Sequence, residues 1–384
     1  MYKINYFNGK LTQGFFALYT GRMIQFIASG LVGLFLPIFL LKNLNYNISY
    51  VFLYFLIGHL IYALFVPLGA QWLTRIGMRR SLRISVFFDA SYYVCLFMVS
   101  YSPSIFLPLS VIIVTFGRMT FWLPYHVDFA KFTDRSNRGK EVSLLWATNS
   151  LLGIVLPLVS GFLIGIYGFH IVFVMAILMF LVSGIPFLAL PKTGERFEWT
   201  YFQTFKHFFS RNNRKMVMAN MANGAENAVA IIIWPIFIWQ LLKGNYFAVG
   251  VFSSCIVFIT VILQLIVGKY LDLFNKRKML HWGSFLYATG WFAKIFVLTA
   301  FQSFIAGAYH SITQIFKDTP FDTLNYENLA DKGHYVDEYT VIKEVAVQLG
   351  KVLVLSLAVF VSLYFGLNWT FVLAAIASLL ISLL

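Results

Sequence analysis

Charge is what this chain has least of. Lys, Arg, Asp and Glu together make up 11% of its 384 residues, against about 25% in an ordinary soluble domain. That is too little to clothe a globule of this length in a polar skin, so a water-soluble fold is excluded. Acids are the scarcest: Asp and Glu number 15 against 29 Lys and Arg, a formal charge of +14. The basic residues do not gather in one polar domain and no nucleic-acid motif accompanies them, so no nucleic acid is expected as a partner. There are only two cysteines, Cys95 and Cys255, both within apolar segments and without metal or redox spacing; no metal and no cofactor is expected. The Gly-rich phosphate cradle ending in Lys and Ser or Thr is missing as well, so ATP is not the direct energy source. What the chain does have is apolar length, with 60% hydrophobic and 19% aromatic residues.

A helix needs about 20 apolar residues to cross the hydrocarbon layer. Twelve candidate runs are present: 13–41, 49–73, 81–101, 104–126, 142–166, 168–190, 216–242, 246–271, 281–300, 302–317, 340–365 and 367–384. Met1 to Lys10 is polar and the first run is a full span, which is not the pattern of a cleaved signal peptide. The expected fold is all-α and polytopic, twelve transmembrane helices arranged as two pseudo-symmetric six-helix bundles. Residues 1–190 form the first bundle, 191–215 a linker and 216–384 the second. Twelve spans put both termini on one side. The loops on that side hold Arg75, Arg79, Arg80, Arg83, Lys140, Lys192, Lys215, Lys276, Lys317 and Lys332 among others, while the opposite face has only Lys42 and Lys243. Both termini are therefore expected in the cytoplasm. Short outer connections favour a prokaryotic plasma membrane, and a monomer is expected.

In the linker, Tyr201, Phe202, Phe205, Phe208 and Phe209 recur at helical spacing among Gln203, Lys206 and His207. The expectation is an amphipathic helix on the inner membrane surface, touching lipid; the alternative is a packed linker.

Sliding the chain against itself by 198 residues lays Pro37-Ile38-Phe39 on Pro235-Ile236-Phe237. The same offset brings Ala70, Leu73, Gly77, Arg79 and Arg80 onto Gly268, Leu271, Asn275, Arg277 and Lys278. Two distant matches at one offset indicate a duplicated six-helix unit. In transporters so built, the substrate site sits near the midplane between the halves. After the second span the chain reads Ala70, Gln71-Trp72-Leu73, Thr74, Arg75, Ile76, Gly77, Met78, Arg79, Arg80, and the second copy carries Gly268, Asp272, Arg277 and Lys278. In these residues the chain resembles the major facilitator superfamily, whose corresponding loop has Gly, then Asp and a basic residue, then Gly and two basic residues. The fifth span adds Gly153, Pro157, Gly161 and Gly165, similar to that family's small-residue stripe and explained by close helix packing.

The resemblance implies that the two loops latch the cytoplasmic gate and do not bind substrate. Ala70, Thr74, Arg75, Gly77, Arg79 and Arg80 form one latch, and Gly268, Asp272, Arg277 and Lys278 the other. Thr74 stands where the family has Asp, so the first latch is expected to be the weaker. Alternatively, the basic residues only set topology and touch lipid phosphates.

Ionisable groups in hydrocarbon cost about 2.5–3.5 kcal/mol each, so they should face a cavity or one another. Arg22, Gln25 and Ser29 share one face of the first span, and Asn220, Asn223 and Asn227 repeat that face in the seventh, with Glu226 adjoining. Depth at about 1.5 Å per residue puts Arg22 and Glu226 near the midplane, and the resemblance implies that both line the central cavity. Arg118 and Trp122 share a face of the fourth span, with Asp89 on the third at the depth of Arg118 as a structural ion-pair partner. Glu344, Gln348 and Lys351 share a face of the eleventh, His310 and Gln314 one of the tenth; His59 and Lys294 read as core residues.

The function expected is secondary active transport of a small organic solute by alternating access, coupled to protons. Glu226 and Glu344 are the candidate proton carriers, with Arg22 as the competing or recognising charge. The cationic excess among aromatics suits an amphiphilic anion or zwitterion. Two rivals stand beside it: a non-transporting sensor or partner with a transporter fold, and a membrane enzyme acting on lipid. The scattered cytoplasmic acids and the duplication disfavour the enzyme.

Overall fold

The computed structural model describes residues 12–132, 138–191, 197–271, 275–330 and 335–384. Among them there are helices and short connections and no strand. The first pass consists of two helices, α1 (Gln13–Gly33) and α2 (Leu36–Asn43). Pro37 accounts for the break, since it has no amide proton and sits in the first turn of α2, where none is required. There follow α3 (Ile48–Ile76), α4 (Met78–Val99), α5 (Pro103–Phe132), α6 (Arg138–Tyr167), α7 (Phe169–Leu188) and the short α8 (Tyr201–Phe208). The seventh pass repeats the break of the first. α9 (Arg214–Ala228) runs into a π-helical turn, Val229–Ile233, and then α10 (Trp234–Leu241), whose first turn holds Pro235. α11 (Tyr246–Leu271), α12 (Lys276–Lys294), α13 (Ala300–Ala330), α14 (Val336–Tyr364) and α15 (Thr370–Ile381) complete the chain.

Nine helical stretches among the described residues are long and apolar enough to cross a membrane. The other three expected runs fall on α12 and α13, which hold several charges, and on α15, which is short. Large apolar side chains such as Phe87, Ile105, Leu151 and Ile185 point outward, as a lipid solvent allows. The sequence places Lys317 in a cytoplasmic connection, but α13 continues to Ala330 and Lys317 is only 1% exposed. A count of basic residues cannot separate a solvated Lys from one neutralised by partners inside the protein.

The helices pack in two groups. α1 lies on α5, α6 and α7, and α4 on α5 and α7; in the other group α9 lies on α14 and α15, and α12 on α13 and α15. The groups meet along α3 with α14, α6 with α11, and α2 with α10. At the α6–α11 crossing the small-residue stripe explains the closeness. A Cβ at Gly161 would strike the Tyr246 carbonyl, and one at Gly250 the Pro157 carbonyl. The end of the molecule that holds α2 and α10 is plugged by rings. Tyr246 meets Phe35 at 6.1 Å and Phe169 at 5.5 Å, and Trp239 stacks on Tyr46 at 6.4 Å. At the opposite end residues 197–200 run between α3 and α14 before α8 begins.

Candidate functional site

Three polar clusters lie within the helices. The first surrounds Arg22 on α1. Its guanidinium sits over Trp122 at 4.8 Å, Phe121 at 5.4 Å, Tyr125 at 5.6 Å and Phe26 at 5.9 Å. Cation–π attraction to rings on α5 thus replaces a carboxylate partner, for no acid pairs with Arg22 among the described residues. Asp89 on α4 attracts it from further away. The rest of the expected polar face turns elsewhere: Gln25 is buried with its Nε2 unbonded, and the Ser29 hydroxyl donates to the Phe26 carbonyl at 3.3 Å.

The second cluster joins the two groups of helices. The His59 Nδ1 on α3 meets the Gln348 Oε1 on α14 at 2.7 Å, and Arg118 on α5 approaches the same Nδ1 at 3.4 Å. Gln348 Nε2 donates to the Glu344 carboxylate at 3.5 Å. Lys351, one turn further along α14, lies within electrostatic reach of His59, Arg118 and Glu344. Glu344 thus attracts Lys351, Asp89 attracts Arg118, and the Tyr62 hydroxyl is buried beside Arg118 and Glu344 without a partner among the described residues.

The third cluster lies within the α9, α12 and α13 group. Glu226 accepts from the Tyr287 hydroxyl at 2.7 Å and from the Lys317 ammonium at 3.2 Å, and Lys317 also pairs with Asp318 at 2.8 Å. Gln314 donates to Asp318 at 2.9 Å, and the His310 ring lies 3.9 Å from that of Tyr287. Lys294 is boxed between Trp234 and Trp291, 4.0 Å from each ring. Asn220 donates to Asn325 at 3.0 Å, while Asn223 and Asn227 are half-buried without a side-chain partner among the described residues.

Of the residues singled out from sequence, Arg118, Glu344, Gln348 and Lys351 come together, as do Arg22 with Trp122 and Glu226 with the His310–Gln314 face. Arg22 and Glu226 do not meet: the cation facing Glu226 is Lys317, because both project into the same helix group. Asp89 forms no ion pair with Arg118 either; its carboxylate packs against Gly117, where a side chain would collide with it. Sequence reasoning did not single out Tyr287 or Lys317, and it read His59 as a core residue, with which its burial and its bond to Gln348 agree, without seeing that the bond joins the two helix groups. Lys317 had a signal, since His310, Gln314 and Lys317 share one face of α13 once that helix is extended. His59 had none, because its partner comes from a helix 289 residues away in sequence.

The first of the two loops expected from sequence to latch a gate is tied down. Thr74 Oγ1 accepts from the Phe197 amide at 3.2 Å, Arg79 donates to the Leu190 carbonyl at 3.4 Å, and Gly77 adopts φ +86° between α3 and α4, a conformation natural to glycine. Ala70 is buried; Arg75 and Arg80 are exposed. In the second loop Asp272 lies outside the described residues, and nothing beyond its backbone is described for Gly268. Arg277 and Lys278 are exposed, with their amides donating to the Asn275 side chain that caps α12.

Residues 18–218 match the family model described as Major Facilitator Superfamily. Among solved structures, the crystal structure of a D-xylose-proton symporter superposes with a TM-score of 0.67 at 16% identity, over 96% of this chain and 95% of that one. No curated protein is significantly similar in sequence.

Proposed function

The chain belongs to the major facilitator superfamily, and from that premise we propose that it carries a small organic anion or zwitterion across the plasma membrane, coupled to protons, with both termini in the cytoplasm. It is a multi-pass membrane protein and a secondary transporter, not an enzyme. The observation that carries the substrate reading is the seam of Arg118, Lys351, His59 and Glu344, to which both helix groups contribute. Counting Asp89, which attracts Arg118 and Arg22, the three cations Arg22, Arg118 and Lys351 face the two carboxylates Asp89 and Glu344, which leaves one positive charge uncompensated in a low-dielectric interior, a cost that an anionic ligand removes. Because α3 and α5 supply part of the seam and α14 the rest, such a ligand touches both halves and favours whichever state brings them together, which alternating access requires.

Proton coupling is assigned first to Glu344. Its carboxylate faces the seam, where an arriving anion competes with it for Lys351; protonating Glu344 frees that cation. Glu226 is the second candidate, held by Tyr287 and Lys317 within one half. The D-xylose-proton symporter of like fold couples its sugar to protons, which supports a gradient-driven reading. The test is a thermal-shift screen of organic anions, zwitterions and neutral sugars on purified protein, followed by flux into proteoliposomes. Glu344→Gln should abolish accumulation driven by a pH gradient while sparing exchange of substrate for substrate, since exchange needs no net proton release. If Glu344→Gln keeps full accumulation and Glu226→Gln loses it, the carrier is Glu226; if neither variant changes it, coupling to these acids is wrong. A chain that binds a ligand yet moves none would instead be a sensor.

A further inference from the structure

The segment linking the two helix groups is built as one unit with two attachments. Thr200 opens α8 with a capping box, its Oγ1 accepting from the Gln203 amide while Gln203 Oε1 accepts from the Thr200 amide at 2.8 Å. Before it runs a strap. The Phe197 amide donates to Thr74 Oγ1 at 3.2 Å on α3, and the Glu198 amide donates to Glu338 Oε1 at 2.9 Å on α14. Trp199 stacks on His207 of α8 with ring centroids 4.0 Å apart and planes 10° apart, so strap and helix move together.

α8 buries Thr204 and Phe208 against the bundle and turns the opposite face out, with Phe202 81% and Phe209 78% exposed. Beside these rings stand four exposed cations, Lys206, Arg211, Arg214 and Lys215, and no acid occurs between Trp199 and Lys215. Exposed aromatics with four cations about them, against the single exposed acid Glu198 near Phe202 among the described residues, match the chemistry of a phospholipid surface that carries negative headgroups. We propose that α8 rests on anionic phospholipid headgroups of the bilayer, and that this contact, passed through the Trp199–His207 stack, holds the strap across α3 and α14. The lipid surface thereby biases the ends of these two helices toward staying together, independently of what the seam binds.

The test uses the full chain in nanodiscs of phosphatidylcholine alone or mixed with phosphatidylglycerol. An environment-sensitive fluorophore is attached at Phe209→Cys in a Cys255→Ser background, Cys95 being buried. The expected result is a blue-shifted emission with phosphatidylglycerol that is lost in high salt, as screening requires, and lost in the variant Lys206→Gln, Arg211→Gln, Arg214→Gln, Lys215→Gln. Hydrogen exchange of the 197–200 stretch should slow severalfold with the anionic lipid. A fluorophore that stays water-exposed in both discs, or shifts equally in both, overturns the lipid contact. A shift without slowed exchange overturns its link to the strap.

Discussion

Glu226 and Lys317 are 4% and 1% exposed and 3.2 Å apart, but they are not equivalent. Lys317 has a second carboxylate, Asp318 at 2.8 Å, whereas among the described residues Glu226 has the Tyr287 hydroxyl besides and the more distant attraction of Lys294. Deleting one partner of a buried pair leaves an unpaired charge and costs about 3–5 kcal/mol. Lys317→Met should therefore destabilise by about that amount, while Glu226→Gln, which leaves Lys317 paired, should cost about 1–3 kcal/mol, the scale of an unsatisfied buried group. Denaturant unfolding in detergent, followed by helix content, measures both; equal losses would mean that Asp318 does not hold Lys317. His59 and Gln348 pose a different question, because their 2.7 Å contact spans the two helix groups. A double-mutant cycle with His59→Ala and Gln348→Ala should return a coupling of about 0.5–1.5 kcal/mol, as for a neutral hydrogen bond. A coupling near zero would mean that the two side chains act separately.

Where helices touch, the decisive feature is the absence of a side chain. On α6 the stripe Gly153, Pro157, Gly161, Gly165 has four-residue spacing, but only part of it faces a neighbour closely. A Cβ at Gly161 meets backbone of α11, and one at Gly165 meets nothing within 4 Å. Gly161→Val should force α6 from α11 and cost about 1–3 kcal/mol by overpacking, while Gly165→Val should melt with the parent protein. The pair of melting curves tests whether the stripe is a contact between helix groups or a general preference for small residues. The stripe was legible in sequence because packing demands a residue type; which of its members bears the load was not, since that depends on where α11 crosses. The repetition of Pro37 at Pro235 was legible as part of the duplication, but the helix breaks were not read, since the apolar runs 13–41 and 216–242 continue through the prolines and look like single spans, although a missing amide proton acts locally. The full length of α13 was hidden, since Lys317, Asp318 and Asp322 interrupt its apolar run although Lys317 is neutralised within the fold.

The whole molecule is two helix groups held by α3 with α14, α6 with α11 and α2 with α10, around a seam whose charges do not balance. Architecture was readable from the duplication, because a repeat writes each half twice. The seam was read only in part: Arg118, Glu344, Gln348 and Lys351 could be found as charges or amides at membrane depth, but His59 gains meaning only from the helix opposite. That imbalance yields a prediction in which stability and function move apart. Lys351 and Arg118 repel each other across the seam, and Glu344 attracts Lys351. Replacing Lys351 by Met removes a buried charge and its repulsion at the loss of one attraction, and Arg118 keeps its contact with His59. Substituting an apolar side chain for such a charge is often neutral or stabilising, so Lys351→Met should melt no lower than the parent protein. An anion held between the two cations, however, loses one of them. A ligand present at about 100 times its dissociation constant stabilises by about 2.7 kcal/mol, and that increment should shrink sharply in the variant. Melting the parent protein and Lys351→Met with and without the strongest anion from the screen separates the two effects. A variant that melts lower yet gains the full increment from the anion would place the ligand away from the seam and make Lys351 a structural charge.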